Sequence, residues 1–225
     1  MPDPLIIALD FDSAAEARAL VKTLGPDAGI YKVGMELYAA TGPDFVRELA
    51  GLGKDVFLDL KFYDIGETVK RATAVVARMG ARFLTVHASP SIMRAAVEGR
   101  GASPLKLLGV TVLTSFDQQD LSHDGIVCDV STLVLHRARH AQSAGMDGVV
   151  ASPLEAAALR QALRPDMLIV TPGVRSAGAN RGDQKRVATP AGAIRDGASY
   201  LVIGRQVTRA EDPAEAIRQI RAEIA

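Results

Sequence analysis

Hydrophobic residues in this chain fall in short unbroken runs, and between the runs they thin to one face of a helix. The runs lie at 5–11, 30–35, 56–62, 83–88, 106–113, 148–152, 168–174 and 200–204. Continuous apolar runs of this length suit strands of a parallel sheet covered on both faces. The segments between them carry helix signatures. Ser13 and Glu16 have the spacing of a capping box ahead of a stripe made by Ala17, Leu20, Val21 and Leu24. Pro43 suits the first turn of the next helix. Val69, Ala72, Val76 and Met79 keep helical spacing, a weaker segment covers 91–98, and Val130, Leu133, Val134, Ala138 and Ala141 form a clear stripe. Ser152-Pro153 with Glu155, Thr189-Pro190, and Asp212-Pro213 with Glu215 each announce a further helix start.

Eight strands alternating with eight helices predict an α/β fold, a single (β/α)₈ TIM barrel with a parallel eight-stranded core. An open doubly wound sheet is the other arrangement this alternation allows. No linker, low-complexity tract or repeat divides the sequence, so one domain is expected over 1–225.

Composition narrows the partners. Lys plus Arg and Asp plus Glu both number 26, so the formal charge is zero and nothing in the bulk charge favours nucleic acid or an anionic membrane. Any anion must be held by a local cluster. The only cysteine, Cys128, sits among apolar neighbours and is expected to be a small buried hydrophobe in a reducing, cytoplasmic setting. The first apolar run is too short for a signal core, and none approaches a membrane span. The four histidines lack zinc-ligand spacing, so no metal is expected, and His136 to His140 reads as the solvated side of the fifth helix.

In barrels of this kind the site lies where the strands end. Polar residues there are Asp10, Lys32, Asp59, Lys61, His87, Thr114, Ser152, Arg175 and Arg205. The third run is distinctive: Asp59-Leu-Lys61-Phe-Tyr-Asp64 puts Asp59 and Lys61 on one strand face, pointing into the barrel, with Leu58, Leu60 and Phe62 turned to the helices. Burying a bare ion costs several kcal/mol or so, and apolar residues would fill the space at lower cost, so a retained Asp–Lys pair reads as a site. The seventh run ends in Thr171-Pro172-Gly173-Val174-Arg175 and the eighth in Gly204-Arg205. Those positions commonly hold phosphate, with glycine allowing close backbone approach and arginine a forked cationic partner. The small, polar stretch from Ser176 to Gln184 is placed to act as a lid.

Asp59-Leu-Lys61-Phe-Tyr-Asp64-Ile65-Gly-Glu-Thr68 resembles the D-x-K-x-x-D-I-x-x-T signature of the orotidine 5′-phosphate decarboxylase family. The resemblance continues through Ala8-Leu-Asp10, Lys32-Val-Gly, Thr111-Val-Leu-Thr114, Thr171-Pro172-Gly-Val-Arg175, Gly182-Asp-Gln184 and Gly204-Arg205. It departs after His87-Ala88, where Ser89-Pro90-Ser91 replaces a usual glycine pair and leaves the geometry at His87 open. The resemblance implies a carboxy-lyase that converts orotidine 5′-monophosphate to uridine 5′-monophosphate without a cofactor. It implies that Lys61, with Asp59, Lys32 and Asp64, carries the catalysis, and that Asp10 and Lys32 bind the ribose. Asp59 would lie by the departing carboxylate and Thr114 by the pyrimidine. Pro172 and Gln184 would complete the substrate site, and Arg175, Gly204 and Arg205 would serve the phosphate. It also implies a homodimer in which Asp64, Ile65 and Thr68 reach into the partner's site.

Three other kinds of barrel fit the sequence less well. Related barrels that act on sugar phosphates with Mg²⁺ place a glutamate where Lys32 stands, so Lys32 argues against a metal. The paired histidines and aspartates of an epimerase barrel are not evident. A non-catalytic nucleotide-binding barrel would keep the arginines but have no need of Lys61 between aspartates.

Overall fold

The computed structural model describes residues 3–176 and 188–225. Its strands are β1 (Leu5–Ala8), β2 (Ile30–Gly34), β3 (Asp55–Phe62), β4 (Phe83–His87), β5 (Lys106–Val110), β6 (Gly148–Val150), β7 (Leu168–Thr171) and β8 (Tyr200–Ile203). Each pairs in parallel with the next, and β1 closes on β8 with Ile6 opposite Val202, so the sheet is a closed barrel rather than an open one. Every predicted strand is present, and the overshoot lies at the C-terminal ends, where the apolar runs continue into the loops.

The helices are α1 (Ala14–Leu24), α2 (Met35–Thr41), α3 (Pro43–Gly51), α4 (Gly66–Val76), α5 (Pro90–Arg100), α6 (Gln118–His123), α7 (Val130–Ser143), α8 (Ala156–Ala162), α9 (Pro190–Arg195), α10 (Arg205–Thr208) and α11 (Pro213–Glu223). The predicted eight correspond to α1, α3, α4, α5, α7, α8, α9 and α11; α2, α6 and α10 are additional. Caps explain many of the starts. Asp129, Thr189 and Asp212 accept backbone N–H bonds at the heads of α7, α9 and α11. Ser152 and Glu155 form the expected reciprocal box, over a short 3₁₀ turn that leads into α8. At α1 the capping bond differs from expectation: Ser13 accepts from the Ala15 N–H.

Alternation along the strands divides the core in two. Leu5, Ile7, Leu9, Tyr31, Val33, Val56 and Leu58 face the helices in a large outer cluster. Ile6, Ala8, Ile30, Phe57, Phe83, Leu108, Val170, Tyr200 and Val202 fill the barrel itself. Burying an aliphatic or aromatic side chain contributes about 1.5–3 kcal/mol, so these two layers supply the main drive to close the sheet. Cys128 departs from expectation: it is only partly buried, in the loop between α6 and α7 beside the fully exposed Val127. That loop packs too little against the barrel to cover it. Among the described residues no helix is long and apolar enough to cross a membrane.

Candidate active site

Above the apolar filling, the strands end in a cavity. Its floor is Ala8, Val110, Val112, Val150 and Val202. Around the floor stand Asp10, Lys32, Asp59, Lys61, Thr114, Pro172, Arg175, Gly204 and Arg205, so nine of the expected site residues meet here.

One wall is a row of alternating charge. Lys32 Nζ lies 2.9 Å from Asp10 Oδ1 and 3.8 Å from Asp59 Oδ2, and Lys61 Nζ lies 2.9 Å from Asp59 Oδ1. The inner members are mostly withdrawn from water, with side-chain exposures of 12% for Lys32, 14% for Asp59 and 25% for Lys61. No member is left as an uncompensated ion, which is what makes such a row tolerable in a poorly solvated place. Gly34 protects the crowding: a Cβ there would come within 3.0 Å of Lys32 Nζ.

Lys61 reaches the cavity by an irregularity as well as by strand alternation. Leu58 pairs with Leu84 and Phe62 with Val86, so four steps along β3 are set against two along β4. Lys61 sits inside this bulge with φ of 49°, the one non-glycine residue with positive φ among the described residues. Bulges of this kind re-aim side chains beside active sites. Leu60 and Phe62 pack against the outer cluster, as their alternation predicts.

Past Gly204, which lies beside Asp10, the lining carries two arginines, Arg175 and Arg205. Arg175 follows the turn at Gly173, whose φ of 77° needs glycine. It is fixed by its N–H to Ala188 O at 3.0 Å and by Nη1 to Val174 O at 2.7 Å. Burial, and then the charge of nearby Arg205, push its guanidinium below its usual range. Two guanidinium groups lining one cavity favour an anion there.

Three expected residues stand elsewhere. Asp64 and Thr68 line a second pocket with Tyr63 and Val69, which shares Lys61 with the first, and Ile65 is 73% exposed. Asp64 Oδ1 accepts the Ile65 N–H at 2.6 Å. Gln184 and most of the lid reading at 176–184 lie outside the described residues. Ser152 belongs to its helix cap and not to the cavity.

His87 points to a neighbouring pocket lined by Tyr63, His136, Arg137 and His140. The 136–140 segment is therefore not wholly a solvated face: Arg137 reaches inward and donates to Thr111 O on the floor side. Ser89 and Pro90, in place of the glycine pair, start α5 directly after His87. Sequence reasoning also passed over Thr85, which is completely buried and bonded to Asp59. Its signal was the spacing 83–85, which turns it inward with Phe83. No group of three or more His, Cys, Asp or Glu among the described residues is placed to hold a metal ion.

Comparison with known proteins agrees with this geometry. The chain is 54% identical over 223 residues to an orotidine 5′-phosphate decarboxylase of Rhodopseudomonas palustris (strain ATCC BAA-98 / CGA009), covering 99% of this chain and 94% of that protein. It is 50% identical over 224 residues to the enzyme of the same name from Caulobacter sp. (strain K31), covering 99% and 98%. Among solved structures, orotidine 5′-phosphate decarboxylase from Lactobacillus acidophilus superposes with a TM-score of 0.86 at 37% identity, covering 98% of each chain. Residues 3–220 match the Orotidine 5′-phosphate decarboxylase / HUMPS family, and the chain belongs to that family.

Proposed function

We propose that this chain, acting as one barrel domain over 1–225, converts orotidine 5′-monophosphate to uridine 5′-monophosphate and CO₂ in de novo pyrimidine synthesis, with no cofactor. The observation that carries the reading is the Lys61 ammonium, 2.9 Å from Asp59 and facing the cavity. Loss of CO₂ from the pyrimidine leaves an electron pair on a ring carbon, in the ring plane, where the π system cannot take it up. A fixed ammonium stabilises that charge as it develops and then gives up a proton to the same carbon. One C–C bond breaks, one C–H bond forms, and Lys61 is reprotonated from solvent.

The rest of the cavity supports this assignment. Asp10 and Lys32 serve the ribose, Thr114 and Pro172 the base, and Arg175, Gly204 and Arg205 the phosphate, with Gln184 as a further substrate contact. Binding energy from the phosphate end, remote from the reacting carbon, is available to hold the ring against Lys61. Lys32 puts a cation between Asp10 and Asp59, which favours decarboxylation over the metal-assisted chemistry of sugar-phosphate barrels. We read the exposed Tyr63 and Ile65 beside Asp64 and Thr68 as the face of a cytoplasmic homodimer, across which Asp64, Ile65 and Thr68 complete the partner's site.

The test is CO₂ release from orotidine 5′-monophosphate in the presence of EDTA. Wild type turns over with EDTA present, and Lys61→Ala loses at least about a thousandfold while staying folded. Full turnover by Lys61→Ala, or wild-type binding without turnover, overturns the proposal.

A further inference from the structure

Asp59 Oδ1 takes two bonds. Lys61 Nζ reaches it at 2.9 Å, and the hydroxyl of Thr85 on β4 donates to it at 2.9 Å. The same hydroxyl oxygen accepts the Lys61 backbone N–H at 2.9 Å. The contacts form a closed ring that leaves Lys61 through its amide, passes through Thr85 and Asp59, and returns to Lys61 through its ammonium.

The direction of each bond follows from chemistry. A backbone amide can only donate, so the hydroxyl oxygen accepts there, and its single proton is left for the carboxylate. Thr85 has no exposure to water, and its branched Cβ restricts χ1, so the hydroxyl cannot easily swing to another partner. The ring also spans the stretch where β3 and β4 fall out of register, between Leu58 and Phe62. There the ladder bonds that would otherwise hold the two strands are interrupted.

We propose that Thr85 is a positioning residue for the decarboxylation: its hydroxyl ties the bulge to the Asp59 carboxylate and so fixes the Lys61 ammonium over the cavity. This rests on the roles assigned above to Asp59 and Lys61. Without the hydroxyl, Asp59 Oδ1 keeps only its contact with Lys61, and the Lys61 amide loses its acceptor. The ammonium keeps its charge but not its place.

Thr85→Val keeps the methyl and removes the hydroxyl; Thr85→Ser does the reverse. The expected result for Thr85→Val is a fall in kcat of about ten- to a hundredfold, because a small misplacement or a lost bond to a charged group costs that much. KM for orotidine 5′-monophosphate and affinity for uridine 5′-monophosphate stay within about threefold of wild type, since the phosphate wall is untouched. Thr85→Ser recovers most of kcat. A purely structural role would make both variants lose activity in step with folded protein. Wild-type kcat in Thr85→Val, or equal losses in both variants, overturns the proposal. If Thr85→Val fails to fold, Thr85→Ser decides alone: low kcat in the folded serine variant overturns it. Lys61→Ala measured alongside separates the two claims. Full turnover there removes the site assignment and this role with it, whereas an inactive Lys61→Ala with a fully active Thr85→Val removes only the role of Thr85.

Discussion

Two levels of the same barrel, one step of strand alternation apart, obey different rules. At the lower level β2, β3 and β4 contribute Ile30, Phe57 and Phe83, which pack with Ile6, Leu108 and Tyr200. Phe83 meets Phe57 edge-on at 5.9 Å and Tyr200 edge-on at 5.3 Å. At the upper level the same three strands contribute Lys32, Asp59 and Thr85, joined by charge and hydrogen bonds. The lower level gains from leaving water, and any shape that fills it serves. Each group of the upper level is costly alone and acceptable only because its neighbour answers it. Stability should therefore be concentrated below and activity above.

The largest test of that division is made from below. Phe83→Ala should destabilise the fold by about 3–5 kcal/mol in urea or guanidinium unfolding, the range for emptying a buried aromatic site. Turnover per folded molecule should change far less. A cost under about 1 kcal/mol, or a loss of turnover comparable with that of Lys61→Ala, would break the separation.

A smaller effect sharpens the comparison at Lys61 itself. In an ordinary strand interior, glycine is less stable than alanine by about 0.5–1 kcal/mol. At φ of 49° the preference should invert, because a Cβ is strained there and glycine is not. Lys61→Gly should therefore unfold at higher denaturant than Lys61→Ala, by about 1 kcal/mol, with neither variant active. The reverse order would mean that the bulge carries no strain and that Lys61 is placed by strand alternation alone.

That bulge also marks the limit of what could be read from sequence. Alternation placed Asp59 and Lys61 together and turned Leu58 outward, and both hold. The two extra residues of β3 left no trace, because bulges are usually betrayed by glycine and Lys61-Phe62-Tyr63 contains none. Strand starts were legible to within a residue, since each apolar run begins where the barrel wall begins. Strand ends were not: Leu9 and Val112 remain buried beyond β1 and β5, so hydrophobicity continues after the ladder stops. Helix α6 was missed because its signal is a polar pair, Asp117 and Asp120, capping a six-residue turn with almost no apolar stripe. Thr85 was overlooked for a related reason: one hydroxyl in an apolar strand looks like filler until its partner on another strand is known.

The smallest effect lies one alternation higher again, at His87, where the interior gives way to the rim. Burial, then the charge of Arg137, then that of Lys61 hold its imidazole below the ordinary value of 6.5. The unfolded chain takes up the proton as pH falls through that value, whereas the folded chain resists until lower pH. Proton uptake thus favours unfolding over the interval, and stability is lost as pH drops below about 6.5. His87→Gln removes the titration while keeping a polar side chain of similar reach. The stability of wild type relative to His87→Gln should therefore decline as pH is lowered from about 7.5 to about 5.5, read as the difference in urea midpoints. A difference that stays flat, or grows in favour of wild type, would show that the rim is as well solvated as free solution. The three positions 83, 85 and 87 would then no longer form a graded path from a dry interior, through a fully paired polar level, to a surface that merely disfavours charge.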